Sequence, residues 1–184
     1  MKIHHYGFAL LVLLGILGSN QQAQAYFTTA QSAVALSSTT ALFTITYTFG
    51  SPTKELYMPI AAVRDLTVTA NNKDLSYTLV DRNGSSTSVG TMNGLVLSTA
   101  QIKDNQYYLP VGTAGKFVLV ALVTTQPDTP MSKYKLQVTA LPFTMVTKGE
   151  PRAQRLMPTE LDYYVTPPVT LNKTATGPIN PPTN

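Results

Sequence analysis

Apolar and polar side chains alternate with a two-residue period along most of this chain, most clearly over residues 115–141. That stretch reads GKFVLVALVTT, then QPDTPMS, then KYKLQVTAL. Phe117, Leu119, Ala121 and Val123 share one face of the first segment, and Tyr134, Leu136, Val138 and Ala140 share one face of the second. Successive side chains of a strand point to opposite faces, so this spacing predicts two strands. A Pro-bearing loop between them predicts an antiparallel pair. Val118, Val120 and Leu122 make the first segment apolar on both sides, which predicts a central strand covered on both faces. Lys135, Gln137 and Thr139 leave the second strand solvated on one face.

The same period recurs upstream. Phe43, Ile45, Tyr47 and Phe49 oppose a ladder of Thr44, Thr46 and Thr48. β-branched threonine suits the solvated side of a sheet. Before it, the run Ala33, Val34, Ala35, Leu36 sits in polar surroundings and predicts a weak edge strand. Residues 55–63 predict a strand with Leu56, Met58 and Ile60 on one face; Pro59, lacking an N–H, makes it an edge or a bulge. Alternation continues through Leu66 and Val68, a turn at 71–74, and a strand carrying Leu75, Tyr77 and Leu79. Asn83-Gly84 and Asn93-Gly94 both read as hairpin turns, because Asn and Gly tolerate positive φ. A polar strand over 85–92 is expected between them, with Leu95, Val96 and Leu97 after. Residues 98–105 are the one place where a helical turn is expected, and 106–111 form a short strand ending at Pro110 and Gly112.

Short strands punctuated by turn residues, with almost no helical period, predict an all-β fold. Seven to nine strands between Ala33 and Leu141 fit an antiparallel two-sheet sandwich, immunoglobulin-like in size and pattern, in preference to a closed barrel. The Cys–Trp–Cys core of antibody domains is absent, since the chain has neither residue type.

Both ends depart from this pattern. Lys2 precedes a 12-residue apolar run, GFALLVLLGILG, followed by a polar stretch ending Ala23-Gln24-Ala25. This is the layout of a secretory signal peptide, and the run is shorter than the roughly 20 apolar residues that span a bilayer. Residues 1–25 are therefore expected to be removed and the protein exported: secreted, periplasmic or on the cell surface. No later stretch is apolar enough to be a transmembrane segment. Residues 26–141 are expected to form the β domain. Residues 142–184 are expected to be a Pro-rich extension, partly extended, with LDYYVT at 161–166 adding a strand or lying across the domain. TATGPINPPTN at the end has little to bury and is expected to be disordered.

Composition narrows the chemistry. The chain has no Cys, and its two His, His4 and His5, fall in the signal segment. Ser–His, Cys–His and His-ligated metal sites therefore have no residues to use after cleavage. Carboxylate pairs and Ser–Lys dyads lack a pattern, since most Asp and Glu sit in or beside turns. Asp81-Arg82-Asn83-Gly84-Ser85 resembles the start of a calcium loop, but no further acidic ligands follow, and a hairpin turn explains it. Removing Lys2 leaves twelve Lys and Arg against nine Asp and Glu, scattered along the chain, so no nucleic-acid footprint is predicted. Asn83-Gly84-Ser85 and Asn172-Lys173-Thr174 match the glycosylation pattern, which matters only in a glycosylating host.

The expected role is non-enzymatic and cofactor-free: structural or adhesive, through a protein partner or self-association at a sheet edge. The alternative is an extracytoplasmic module binding carbohydrate. Its candidate contacts are the adjacent pairs Tyr107-Tyr108 and Tyr163-Tyr164, because adjacent strand residues put one ring of each pair outward.

Overall fold

The computed structural model describes residues 27–64, 74–87, 90–126, 131–147, 150–156 and 164–171, with only the backbone given for Phe27 and residues 147–156. The described residues form strands and no helix, so no helix long and apolar enough to cross a membrane is present among them. The expected signal segment 1–25, residues 65–73, Tyr163 and the final stretch lie outside the described residues.

In chain order the strands are β1 (Phe27–Ala35), β2 (Thr40–Phe49), β3 (Glu55–Pro59), β4 (Ala62–Arg64), β5 (Leu75–Val80), β6 (Gly90–Ser98), β7 (Gln101–Lys103), β8 (Gln106–Leu109), β9 (Gly115–Thr125), β10 (Ser132–Thr147), β11 (Glu150–Leu156) and β12 (Val169–Leu171). They make two sheets. The first has the order β1-β2-β9-β6 and is antiparallel throughout. The second runs β4-β5-β10-β3-β8-β7, with β11 and β12 also paired to β10. Its pairs are antiparallel except β4 with β5, which is parallel.

Alternation decides which face each strand buries. Phe43, Ile45 and Tyr47 of β2 stand opposite Ala121, Leu119 and Phe117 of β9, and all six are at most 1% exposed. From the second sheet Leu56 and Met58, Leu75, Tyr77 and Leu79, and Leu136 and Val138 join the same hydrophobic cluster. One core thus lies between two sheets, without any disulfide.

The pair expected over 115–141 does not exist as a hairpin. β9 pairs with β2 and β6, whereas β10 belongs to the other sheet. Both strands bury the predicted face, but they bury it from opposite sides of the core. β9 is central, yet it is not covered on both faces: Val118 and Val120 are only partly buried and Leu122 is 41% exposed.

Other expectations change in instructive ways. Asn83-Gly84 does lie in a turn, with Gly84 at φ 79° and the Asp81 carboxylate accepting the Asn83 and Ser85 N–H groups. Of the returning polar strand expected over 85–92, Ser86 makes a bridge to Val80, while residues 90–92 open β6 and pair with β9 in the other sheet. Asn93-Gly94 is no turn; it lies inside β6, where a Cβ on Gly94 would overlap the Tyr77 ring. The glycine admits a close approach between sheets rather than a chain reversal. Residues 98–105 hold no helical turn. They form most of a hairpin, β7–β8, turning at Asp104 and Asn105, both with positive φ. Pro59 ends β3 instead of interrupting a longer strand, and β4 begins after it.

β10 holds the second sheet together. It is 16 residues long and passes through Pro142. Its first half pairs with β5 and β12, its second half with β3 and β11. Register shifts between Val138 and Ala140, and Pro142 stands where pairing passes from β5 to β3. A residue without an N–H is tolerated where the ladder is interrupted. Tyr164 and Thr166 bond to the β10 backbone at Val138 and Leu136, so the segment 164–171 adds to the sheet.

Among the described residues the buried Tyr47 hydroxyl has no hydrogen-bond partner, and its ring is set edge-on to Tyr164 at 5.6 Å. Burial first, and then the Tyr164 neighbour, push the Tyr47 pKa far above the ordinary 10.0. Burial also raises Tyr77 and Tyr134. An unfolded tyrosine ionises near 10 while the folded one holds its proton, so the unfolded state binds fewer protons above that pH.

Two predictions follow from this core. Leu119→Lys places an unpaired charge in the core and is expected to cost more than about 4 kcal/mol, whereas Val120→Lys, on the outer side of the same strand, stays within about 1 kcal/mol. Urea midpoints compare them, and equal effects contradict the assignment of faces. Stability is also expected to fall as pH rises above about 10, and Tyr47→Phe, which removes an unsatisfied hydroxyl, raises stability at neutral pH by about 1 kcal/mol and flattens that alkaline loss. Denaturation of both proteins at pH 7 and pH 11 measures it.

Candidate functional site

The chemistry open to this protein starts from backbone groups at the ends of the four-stranded sheet. In an antiparallel pair, alternate residues bond to one neighbour while those between direct their N–H and C=O to the other side. The Leu36 N–H donates to Thr40 O, and the Thr125 N–H to Thr39 O, both at 2.8 Å. Carried along the registers, this alternation turns even-numbered residues of β1 toward β2 and odd-numbered residues outward. In β6 it turns the even-numbered residues away from β9.

The two ends are finished differently. At β6, the Tyr77 ring and hydroxyl pack against the Gly94 backbone, the Tyr107 hydroxyl donates to Val96 O at 3.0 Å, and Arg64 Nη1 reaches Gly90 O at 3.4 Å. Each of these side chains comes from the second sheet. All three backbone groups belong to outward-directed residues, so β6 is covered. At β1, among the described residues, the strand pairs with β2 alone. Within the sheet, Gln31 donates to Thr29 Oγ1 and Ser32 bonds with Thr44. Thr29 and Ala33 direct their backbone groups beyond the sheet. β1 bears no charged residue and no proline, the two devices that most often discourage strand addition.

A second feature lies on the other sheet. Glu55 and Tyr57 share one face of β3, and Tyr108 of β8 stands opposite Tyr57 in register. The Tyr57 and Tyr108 rings are tilted together at 5.1 Å. Glu55 accepts from the Tyr108 hydroxyl at 2.9 Å and the Tyr57 hydroxyl at 3.4 Å. Lys103 Nζ lies over both rings, 4.8 Å from Tyr108 and 5.6 Å from Tyr57. The Glu55 carboxylate raises the Tyr108 pKa, and hydrogen bonding to Tyr57 raises that of Lys103. A carboxylate, a cation and two rings thus satisfy one another and tie the β7–β8 hairpin to β3.

The three candidate tyrosines among the described residues do not converge. Tyr107 points inward, against Phe117 at 5.7 Å, and covers β6. Tyr108 points outward into the Glu55 cluster. Tyr164 is buried beside Tyr47. Tyr163 lies outside the described residues. Sequence reasoning missed Tyr57, Glu55 and Lys103. The signal was present in the two-residue spacing of Glu55 and Tyr57, and in Asp104-Asn105 as a two-residue hairpin loop that returns Lys103 beside Tyr108. Among the described residues, no three Asp, Glu, His or Cys side chains gather in a metal-binding arrangement.

No family model matches this chain, and no curated protein does. Among solved structures it is similar to one described as the X-ray structure of Northeast Structural Genomics Consortium target SoR45. The match has 12% identity and a TM-score of 0.34, over 88% of this chain and 94% of the other. At that score the likeness bears on neither fold nor function.

Proposed function

We propose that this chain is an exported, non-enzymatic β-sandwich, immunoglobulin-like in size, that works by protein contact through the edge of β1. The observation that carries the reading is the contrast between the two ends of one sheet. Second-sheet side chains engage the outward backbone of β6, while β1 ends its sheet with outward N–H and C=O groups at Thr29 and Ala33. An incoming strand adds to such an edge through main-chain hydrogen bonds, and a second copy of β1 is one strand that fits. The N-terminal leader pattern supports a place outside the cytoplasm.

A carbohydrate-binding role would instead draw on Tyr57 and Tyr108. Their engagement by Lys103 and Glu55 weighs against it. Its signature would be polysaccharide retention that Tyr108→Ala abolishes.

The edge is tested by sedimentation of protein purified from cells expressing the full coding sequence, from micromolar to near-millimolar concentration. Average mass is expected to rise with concentration. Ala33→Pro, which deletes one outward N–H but keeps the bonds to β2, is expected to lower the mass reached while leaving the circular dichroism spectrum unchanged. A strict monomer throughout, or a variant that assembles like the parent, contradicts the edge reading. The N-terminal residue of the purified protein reports export: Tyr26 supports it and Met1 contradicts it.

A further inference from the structure

The four-stranded sheet also has an outer face. Register sets Val34, Leu42 and Leu122 side by side across β1, β2 and β9. The next two rows set Val120 beside Leu95 and Val118 beside Leu97. Val34 is 53% exposed, Leu97 52%, Leu95 48% and Leu122 41%. A shallow depression of about 260 Å³ opens at one corner, between Leu97 and Lys116. Lys116 is the only charged residue among the outward positions of the four strands; the others are apolar or are Thr, Ser and Asn. Exposed apolar rows of this extent mark an interaction surface more often than a bare monomer face.

We propose that a second copy of this chain covers this face, the two sheets stacking about a two-fold axis that crosses β9 near Val120. Such an axis, perpendicular to the strands, lays the β9–β6 strip of one copy on the same strip of the other. A face almost without charge meets its own copy without like-charge repulsion, and the axis carries the two Lys116 side chains to opposite ends of the contact. The area is sufficient. Four strands of nine to eleven residues, at about 3.3 Å per residue and about 4.8 Å between strands, give a face of roughly 30 by 19 Å. That is about 600 Å² per copy and about 1,200 Å² for the pair, the lower end of specific interfaces, so the dimer is weak and concentration-dependent. This contact is distinct from the β1 edge. A protomer with two self-complementary surfaces pointing in different directions extends an assembly beyond a dimer.

Sedimentation of the full-length expression product separates the two surfaces. The double variant Leu95→Thr, Leu122→Thr keeps strand propensity and removes the apolar rows; each change is expected to weaken the face dimer about tenfold. Ala33→Pro is expected to leave the face dimer intact. If Ala33→Pro has no effect while the double variant dissociates, the edge reading falls and the face stands. If the double variant associates like the parent, the face proposal is overturned. Because the chain has no native cysteine, Leu95→Cys provides a second readout. A short bis-maleimide is expected to link its copies in proportion to dimer population, while Asn83→Cys, in the turn at the end of β5, is linked far less. Equal linking at both positions, or a parent protein that stays monomeric at near-millimolar concentration, also overturns the proposal.

Discussion

A β-sheet that does not close on itself ends in two strands, and each carries a row of backbone groups with no strand to pair with. How those two rows are finished governs what the rest of this structure can do. At β6 the outward groups meet Tyr77, Tyr107 and Arg64, all from the opposing sheet. These contacts also lock the sheets together at that side, adding directional bonds to a core that is otherwise non-directional. Gly94 is part of the same arrangement, because the Tyr77 ring occupies the space where a Cβ would stand. At the β1 side the two sheets come into contact through β12, which lies near β1 and β2. One end of the sheet is covered by side chains of the other sheet, and among the described residues the other end pairs with β2 alone.

The second sheet explains how the first can be so asymmetric. β10 changes partners halfway along its length, from β5 and β12 to β3 and β11. The register shift near Val138 and the proline at 142 mark where the change occurs. Its early half places β5, and with it Tyr77, under β6. Its later half places β3, and through β3 the β8 strand that carries Tyr107 and Tyr108. Adjacent in sequence, these two tyrosines do opposite work, one sealing an edge of the other sheet and one closing a polar cluster on the outside.

The strands themselves were legible because a two-residue period is a direct consequence of the pleat. β2, β5 and β9 appear where alternation placed them, with the expected faces inward. Pairing was not legible. Alternation states which side chains are buried and says nothing about which strand lies alongside, so β9 and β10 looked like a hairpin although they face each other across the core. Asn93-Gly94 misled because the same glycine that permits a turn also permits a close approach. At 98–105, Asp104-Asn105 took up positive φ in a two-residue loop, which the polar character of the segment obscured. The weak edge was legible from the small and polar residues around Ala33 to Leu36. The covered edge was not, because its three covering side chains come from residues 64, 77 and 107.

Amide hydrogen exchange on dilute protein tests the asymmetry of the two edges most directly. The account predicts rapid exchange at Thr29 and Ala33, whose N–H groups point beyond the sheet, and slower exchange at Gly94, whose backbone the Tyr77 ring covers. Exchange at Gly94 as fast as at Ala33, or strong protection of Thr29 and Ala33 in the dilute monomer, would contradict it.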